Sequence, residues 1–453
     1  MQRNRCHFGI ALLYAASAQA ALSGRSAVGQ TYRSIDLTPA SFGLSEASGI
    51  SPDGQPVGWV AVFGESTQAA VWSPKGDGYT NLRPTDFNDT VATAASATQQ
   101  VGHGTARTNN QQHALLWSGS PGSAIDLHPS GFVDSTALAI EGTQQAGWGD
   151  VRLSDGEYSH ALRWSGSSAT AVDLNPNGFQ GSVAQGISSG RAVAAGAGAI
   201  TGNQNHALLW LGAADTAIDL NPKGFDDSWA LGISGNQQVG WAFRYVPDGI
   251  SQHAIVWSGT AQSAVDLDPA GFGQSEALAT NGTHQVGYGL VGFSNNGPIH
   301  AIVWSGTADS FVDLQQFLGS SFKSSQATGI DAAGDIVGIA TDLVGAHHAI
   351  EWVPLLAGDA NGDGVVNFAD FIIVAEHYGQ AGGLTEGDFD GDRKVDFVDL
   401  LILAQNFGRV DSSVGTVPEP SSLGAVTFAC ALCVLRRRAS SLIRELDRPL
   451  EQR

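Results

Sequence analysis

Cysteine is nearly missing from this chain of 453 residues: Cys6, Cys430 and Cys433 are its three, and all lie in terminal apolar segments. The body between them carries no thiol, which excludes disulfide stapling and thiol or redox catalysis there. Positive charge is scarce as well. Lys and Arg number 22 against 43 Asp and Glu, a net charge of −21, and such a field repels phosphate backbones and argues against a nucleic-acid partner. All charged residues together make up 14%, where an ordinary domain has about 25%. Glycine, by contrast, numbers 58, which suits many tight turns and disfavours helical repeats.

What the body has is one phrase written seven times: Phe-x-x-Ser/Thr-x-Ala, a Val-Gly or Ala-Gly dipeptide, then (His/Gln)-Ala-x-x-Trp. The Phe stands at Phe42, Phe87, Phe132, Phe179, Phe225, Phe272 and Phe322. The closing Trp stands at Trp72, Trp117, Trp164, Trp210, Trp257, Trp304 and Trp352, in steps of 45, 47, 46, 47, 47 and 48 residues. A fixed period of this length denotes supersecondary units that bury their apolar faces against neighbours.

Each unit offers four short strands. In the third they are expected at 135–140, 145–148, 160–164 and 170–174, two hairpins per ~47 residues, which is one propeller blade. An isolated Ile35-Asp36-Leu37 precedes the first unit and matches the last strand of each unit, whereas the seventh stops at Trp352 without it. A chain that starts with the missing half of its last hairpin can close into a ring and remove its sheet edges. The expected body, residues 30–354, is therefore an all-β seven-bladed β-propeller rather than an open solenoid.

Six units place a histidine before the Ala-x-x-Trp: His113, His160, His206, His253, His300 and His348. A matching carboxylate series runs through Asp36, Asp126, Asp173, Asp219, Asp266 and Asp313. Histidine invites a catalytic or metal role. Yet one unit has Gln68 and Asn81 instead, and amides keep a hydrogen bond but do no acid–base chemistry, so the pair is read as structural. No catalytic residue is assigned. The units differ most between the glycine strand and the anchor histidine, and variable loops on a rigid scaffold are where ligands are met. Arg152, Tyr158, Arg244, Tyr245 and Phe293 are the candidates there. The array resembles the extracellular HAF-repeat family, named for its His-Ala-aromatic signature, which implies an exported propeller-like protein and brings no activity with it.

Two acidic loops follow. In the first, Asp359, Asn361, Asp363, Asn367 and Asp370 stand at positions 1, 3, 5, 9 and 12, with the Val365 carbonyl at 7. Asp388, Asp390, Asp392, Lys394 (by its carbonyl), Asp396 and Asp399 repeat the pattern 29 residues later. Ca²⁺ needs a cage of hard oxygens, and each loop precedes an apolar helix, expected at 371–378 and 400–407. Position 6 is Gly364 in one loop and Arg393 in the other; glycine suits the sharp turn there, so the second site is expected to be the weaker.

Residues 358–409 closely resemble a type I dockerin, a small α-helical domain of paired EF-hand-type loops. The resemblance implies two Ca²⁺ ions and docking to a cohesin-like protein. It also implies that loop positions 10 and 11, here Phe368, Ala369, Phe397 and Val398, make the contact. These are more apolar than the small hydroxyl pair of cellulosomal dockerins, which points to an apolar contact surface.

The ends carry addresses. Residues 1–20 set Arg3 and Arg5 before an apolar run and finish Ala18-Gln19-Ala20, the pattern of a secretory signal peptide. After a linker at 410–416, Val417-Pro418-Glu419-Pro420, an apolar run 423–435 and Arg436–Arg438 resemble a PEP-CTERM sorting signal. The resemblance implies transient membrane insertion and processing by an exosortase; residues 439–453 then form a cytoplasmic tail. The leading expectation is a secreted, surface-sorted, non-catalytic protein that binds a glycan (a polysaccharide ligand) or a protein. Two alternatives stay open: a dockerin-bearing glycoside hydrolase, which needs a carboxylate pair at the scissile bond, and a structural component of the extracellular matrix. Glu46, Glu65, Glu141, Glu157, Glu276 and Glu351 are the unrepeated acids from which such a pair would be drawn.

Overall fold

The computed structural model describes residues 30–410 except 77, 155, 213–216, 248, 293–296 and 391–392. The signal segment, nearly all of the linker, the sorting segment and the tail lie outside the described residues. Two compact units result, Gln30–Pro354 and the part that begins at Leu355.

The first unit is seven four-stranded antiparallel sheets, the blades of a β-propeller. Blades 1 to 6 span 44–81, 87–126, 135–173, 181–219, 227–266 and 272–313. Blade 7 takes Phe322–Ile330, Ile336–Asp342 and His347–Pro354 from the end of the array and Tyr32–Asp36 from its start. The closing pair runs in register from Tyr32 opposite Pro354 to Asp36 opposite Ile350, so the ring shuts as the half-hairpin ends require.

Apolar residues on both faces of each blade make the core a chain of clusters between neighbours. Val193, Ala207 and Leu209 of blade 4 pack with Ala230, Ile255 and Trp257 of blade 5, for example. All seven anchor tryptophans are fully buried. The inner strand of every blade bulges at the same repeat position, as between Ala137 and Ala139, and those of blades 2, 6 and 7 shift register once more near their start. The bulged residues, among them Ser48, Thr93 and Thr328, line an axial channel of about 510 Å³. Two of them link blades: Thr93 Oγ1 donates to the Ala137 carbonyl of blade 3 (2.7 Å) and Thr328 Oγ1 to the Ala47 carbonyl of blade 1 (2.7 Å).

The repeated glycine has a steric cause. A Cβ on Gly147 would lie 2.0 Å from the Thr136 carbonyl oxygen, and at Gly58, Gly102, Gly240, Gly287 and Gly338 the clash is of the same size. Blade 4 departs from this: Ala194 stands at that register, opposite Ala184. The Ala195-Gly196 dipeptide is therefore not the equivalent of Val-Gly elsewhere. Gly196 pairs with His206, as Gly149 does with His160, and the repeat's Phe179 packs over it.

Two strands of blade 3 run longer than the sequence suggests, Gln144–Leu153 and Gly156–Trp164, and pair out to Leu153 opposite Gly156. Blade 5 does the same with Gln237–Val246 and Gly249–Trp257. Arg152, Tyr158, Arg244 and Tyr245 thus sit on extended hairpins and not on loops; the polar turn residues masked the alternation of strand faces. Phe293 lies outside the described residues.

The second unit has two helices, α1 (Phe368–His377) and α2 (Phe397–Asn406). Both start three residues before the expected positions. The reason is a capping box: Asn367 accepts from the Ala369 N–H and Asp396 from the Val398 N–H, while Asp370 and Asp399 accept from the cap residues' own N–H groups. Among the described residues no helix is long and apolar enough to cross a membrane.

Candidate metal centre and the blade faces

The polar groups of the repeat form a closed circuit. In blade 3, His160 Nδ1 lies 2.7 Å from Asp173 Oδ2, which ties the third strand to the fourth. The same contact recurs at 2.6–2.8 Å in His113–Asp126, His206–Asp219, His253–Asp266, His300–Asp313 and His348–Asp36. The last of these spans the ring closure. Gln68 and Asn81 bond to each other in the same place in blade 1. Each Asp Oδ1 also accepts a backbone N–H two residues on, as Asp173 does from Asn175 at 2.8 Å, a turn that fixes the exit from the blade.

The repeated Ser/Thr works between blades. Ser135 Oγ of blade 3 accepts the Ala114 N–H of blade 2 at 3.0 Å. The same bond joins Ser45 to Ala349, Thr90 to Ala69, Ser182 to Ala161, Ser228 to Ala207, Ser275 to Ala254 and Ser325 to Ala301. The partners stand 21 residues apart in five of the seven pairs, a spacing the repeat shows but that sequence reasoning did not connect to a bond between blades.

Electrostatics follow the contacts. The hydrogen bond to Asp266 raises the pKa of His253, against the pull of burial. Burial lowers that of His103 to about 4, so this ring is neutral near pH 7. Burial also raises Glu276, whose carboxylate is bonded by Gln252 and Tyr288. Of the other unrepeated acids, Glu46 holds Trp59 and His347, Glu141 holds the Ser189 N–H, and Glu157 pairs with Arg152 at 2.8 Å. Arg244 stands 5.6 Å over the ring of Phe225, and Tyr245 is an exposed ring edge-on to Phe243 at 5.4 Å.

In the second unit the acidic loops are wound by backbone N–H groups. Asp370 Oδ1 accepts from Ala360 (2.9 Å) and Asn361 (3.2 Å). Asp399 Oδ1 accepts from Phe389 (2.6 Å) and Asp390 (3.2 Å), its equivalents 29 positions on. Asp359 holds the N–H groups of Gly362, Asp363 and Gly364. The two halves brace each other symmetrically: Val366 pairs with the residues after α2, Gly408 and Arg409, and Val395 with the residues after α1, Gly379 and Gln380. Both valines are fully buried.

Carboxylate oxygens of Asp388, Asp390 and Asp399 lie within 4.8 Å of one another. Burial raises the pKa of Asp399, with Asp390's charge adding to it, and burial does the same to Asp359. Such a set of hard oxygens suits a divalent cation of the calcium type. Asp392 lies outside the described residues. Arg393 adopts φ +67°, close to the +81° of Gly364, so the second loop makes the same turn at a conformational cost that glycine avoids. Phe368 and Phe397, the first residues of the two helices, are 50% and 56% exposed, and Ala369 is exposed beside them; Val398 is half-buried against the module's core.

The fold and this site define a seven-bladed propeller followed by a paired calcium-type loop module. Residues 357–408 match the dockerin type I domain family, whose members bind calcium, occur in extracellular proteins and dock to cohesin-like partners. No curated protein is significantly similar to the chain. Among solved structures it is similar to a puromycin hydrolase (11% identity, TM-score 0.44, 68% of this chain and 51% of that one). It is also similar to the β-propeller domain of the Trilobed protease from Pyrococcus furiosus (7%, 0.42, 69% and 94%) and to TolB from Acinetobacter baumannii (11%, 0.36, 60% and 64%). The chain spans about half the length of the puromycin hydrolase it matches.

Proposed function

We propose that this is an exported, surface-sorted, non-catalytic binding protein. Its propeller presents a surface for a glycan or protein ligand, and its dockerin module, loaded with two Ca²⁺ ions, docks to a cohesin-like partner. The observation that carries this is the doubled loop, in which the same carboxylate positions take up the same backbone N–H groups 29 residues apart. Asp359, Asn361, Asp363, Asn367 and Asp370 with the Val365 carbonyl would hold one ion. Asp388, Asp390, Asp392, Asp396 and Asp399 with the Lys394 carbonyl would hold the other. Calcium would neutralise the crowded carboxylates and fix the loops, leaving Phe368, Ala369 and Phe397 at the surface for the partner.

The unrepeated acids support the non-catalytic reading. Four of the six, Glu46, Glu141, Glu157 and Glu276, are each engaged by side-chain or backbone groups of their own or the adjoining blade, where a glycoside hydrolase would set two carboxyls about 5–9 Å apart across a substrate. Calorimetry with Ca²⁺ is expected to give two binding events in the native chain and none in the Asp359→Ala/Asp388→Ala double variant. Undiminished heat in that variant would refute the ligand assignment. Incubation with polysaccharides should release no sugar; release would restore the hydrolase reading.

A further inference from the structure

We propose that blade 4 carries a cleft for an uncharged sugar ring, an inference that rests on the glycan reading of the propeller and gives it an address. At one register of the two inner strands four of the other blades carry a large ring: Thr136 opposite Trp148, Trp229 opposite Trp241, Glu276 opposite Tyr288, Glu46 opposite Trp59. Blade 4 has Val183 opposite Ala195, and Ala197 where blade 5 has Phe243. The missing side chains leave a cleft of about 270 Å³, to which blade 3 contributes Tyr158 and blade 5 contributes Trp229. That is just under the about 300 Å³ at which small-molecule pockets begin, room for one unit of a longer saccharide.

The chemistry of the lining selects the ligand. Not one of its residues carries a formal charge, although the chain's net charge is −21. Its polar groups are the amides of Gln180, Gln185 and Asn205 and the hydroxyls of Tyr158, Ser159 and Ser182; the two serines donate to Asp150 and Asn175, while the amides and the Tyr158 hydroxyl can both donate and accept. Sugar hydroxyls need that versatility, whereas an ionic ligand needs a counter-charge. The aromatic walls supply the other half of the match, since a pyranose has an apolar C–H face that lies on the electron-rich face of an indole or phenol ring.

The site is also pre-organised. Trp229 is stacked on Trp241 at 4.0 Å between centroids and 16° between planes, with Phe243 behind at 6.0 Å. Tyr158 accepts a hydrogen bond from Gln180 Nε2 at 2.7 Å. Rings held in place before the ligand arrives lose little entropy on binding.

The test titrates the whole chain with cellohexaose, xylohexaose, mannohexaose and trigalacturonate, read by calorimetry and by tryptophan fluorescence. At least one neutral hexasaccharide is expected to bind and trigalacturonate is not. Ala195→Trp, which copies Trp241 of blade 5 into the cleft, and Trp229→Ala are each expected to weaken binding at least tenfold. Gln180→Ala changes an exposed side chain, keeps the test valid if the other two fail to fold, and is expected to weaken binding about threefold. Unchanged neutral-sugar binding in every folded variant overturns the cleft and leaves the glycan reading standing. No binding of any neutral sugar by the native chain overturns both, and preferential binding of trigalacturonate overturns the uncharged class.

Discussion

Asp173 in the propeller has a histidine nitrogen 2.7 Å away, whereas Asp388, Asp390 and Asp399 in the second unit converge within 4.8 Å of one another. One carboxylate is matched by the fold itself; the others crowd like charges in a way that invites an ion from outside. The propeller repeats its polar solution in every blade, with two amides doing the work of histidine and aspartate in blade 1. The loop module repeats its ligand set only twice, and its folding is expected to be coupled to metal. Repetition of a polar group therefore means different things in the two units: a self-satisfied bond in the first, convergent carboxylates in the second.

The largest separation between them should come from removing calcium. Chelation with EGTA is expected to abolish the thermal transition of the loop module while the propeller's transition shifts by less than about 2 °C; a common loss of both in a calorimetric scan would break the contrast. Next in size, Trp164→Ala removes a fully buried anchor and should cost about 4 kcal/mol of propeller stability in denaturant unfolding, with calcium binding untouched.

Gly147→Ala drives a Cβ to 2.0 Å from the Thr136 carbonyl oxygen and is expected to cost about 2–3 kcal/mol. A negligible cost would mean that blade 3 can take up the backbone of blade 4, which already has Ala194 at that register. Acid gives a smaller effect of known sign. His103 titrates at its ordinary 6.5 when unfolded and at about 4 when folded, so the unfolded chain binds the extra proton first. Its contribution is fully present above pH 6.5 and is lost as pH falls from 6.5 to 4, on the order of 3 kcal/mol. His103→Gln should flatten that part of the stability curve. Smallest of all, the paired change His160→Gln with Asp173→Asn copies blade 1 into blade 3 and should cost under about 1 kcal/mol. A loss of several kcal/mol would show that the charge, and not the hydrogen bond, sustains the blade.

The period of the tryptophans and the orphan Ile35-Asp36-Leu37 were enough to read the ring, because blade number and closure are topological facts carried by residue spacing. The bulge in each inner strand was not readable, since nothing in Ala-x-Ala or Ala-x-Gly distinguishes a bulged residue from a paired one. The glycine beside it, Gly147 and its counterparts in five other blades, was readable as a repeat, but its cause, the approach of a facing carbonyl oxygen, was not. The reach of the hairpins around Arg152 and Arg244 was misread for a related reason: the strands continue into solvent, where the apolar alternation that marks them fades. In the loop module the doubled acidic spacing was plain and the domain family it belongs to was legible, but the helix starts were set by Asn367 and Asp396 acting as caps, a role the spacing of acidic residues does not announce. The cleft on blade 4 was visible only as an absence, small residues where the neighbouring blades have rings.

His348 and Asp36 meet across 312 residues of chain. Bringing two ends together over that length costs about 5 kcal/mol of chain entropy, only about 2 kcal/mol more than closing a single 47-residue blade. Fastening the ring with its first strand is thus cheap at equilibrium and slow in time. Tyr32–Asp36 must wait, unpaired, until the last blade exists, so the first propeller strand to be synthesised is the last to find its place.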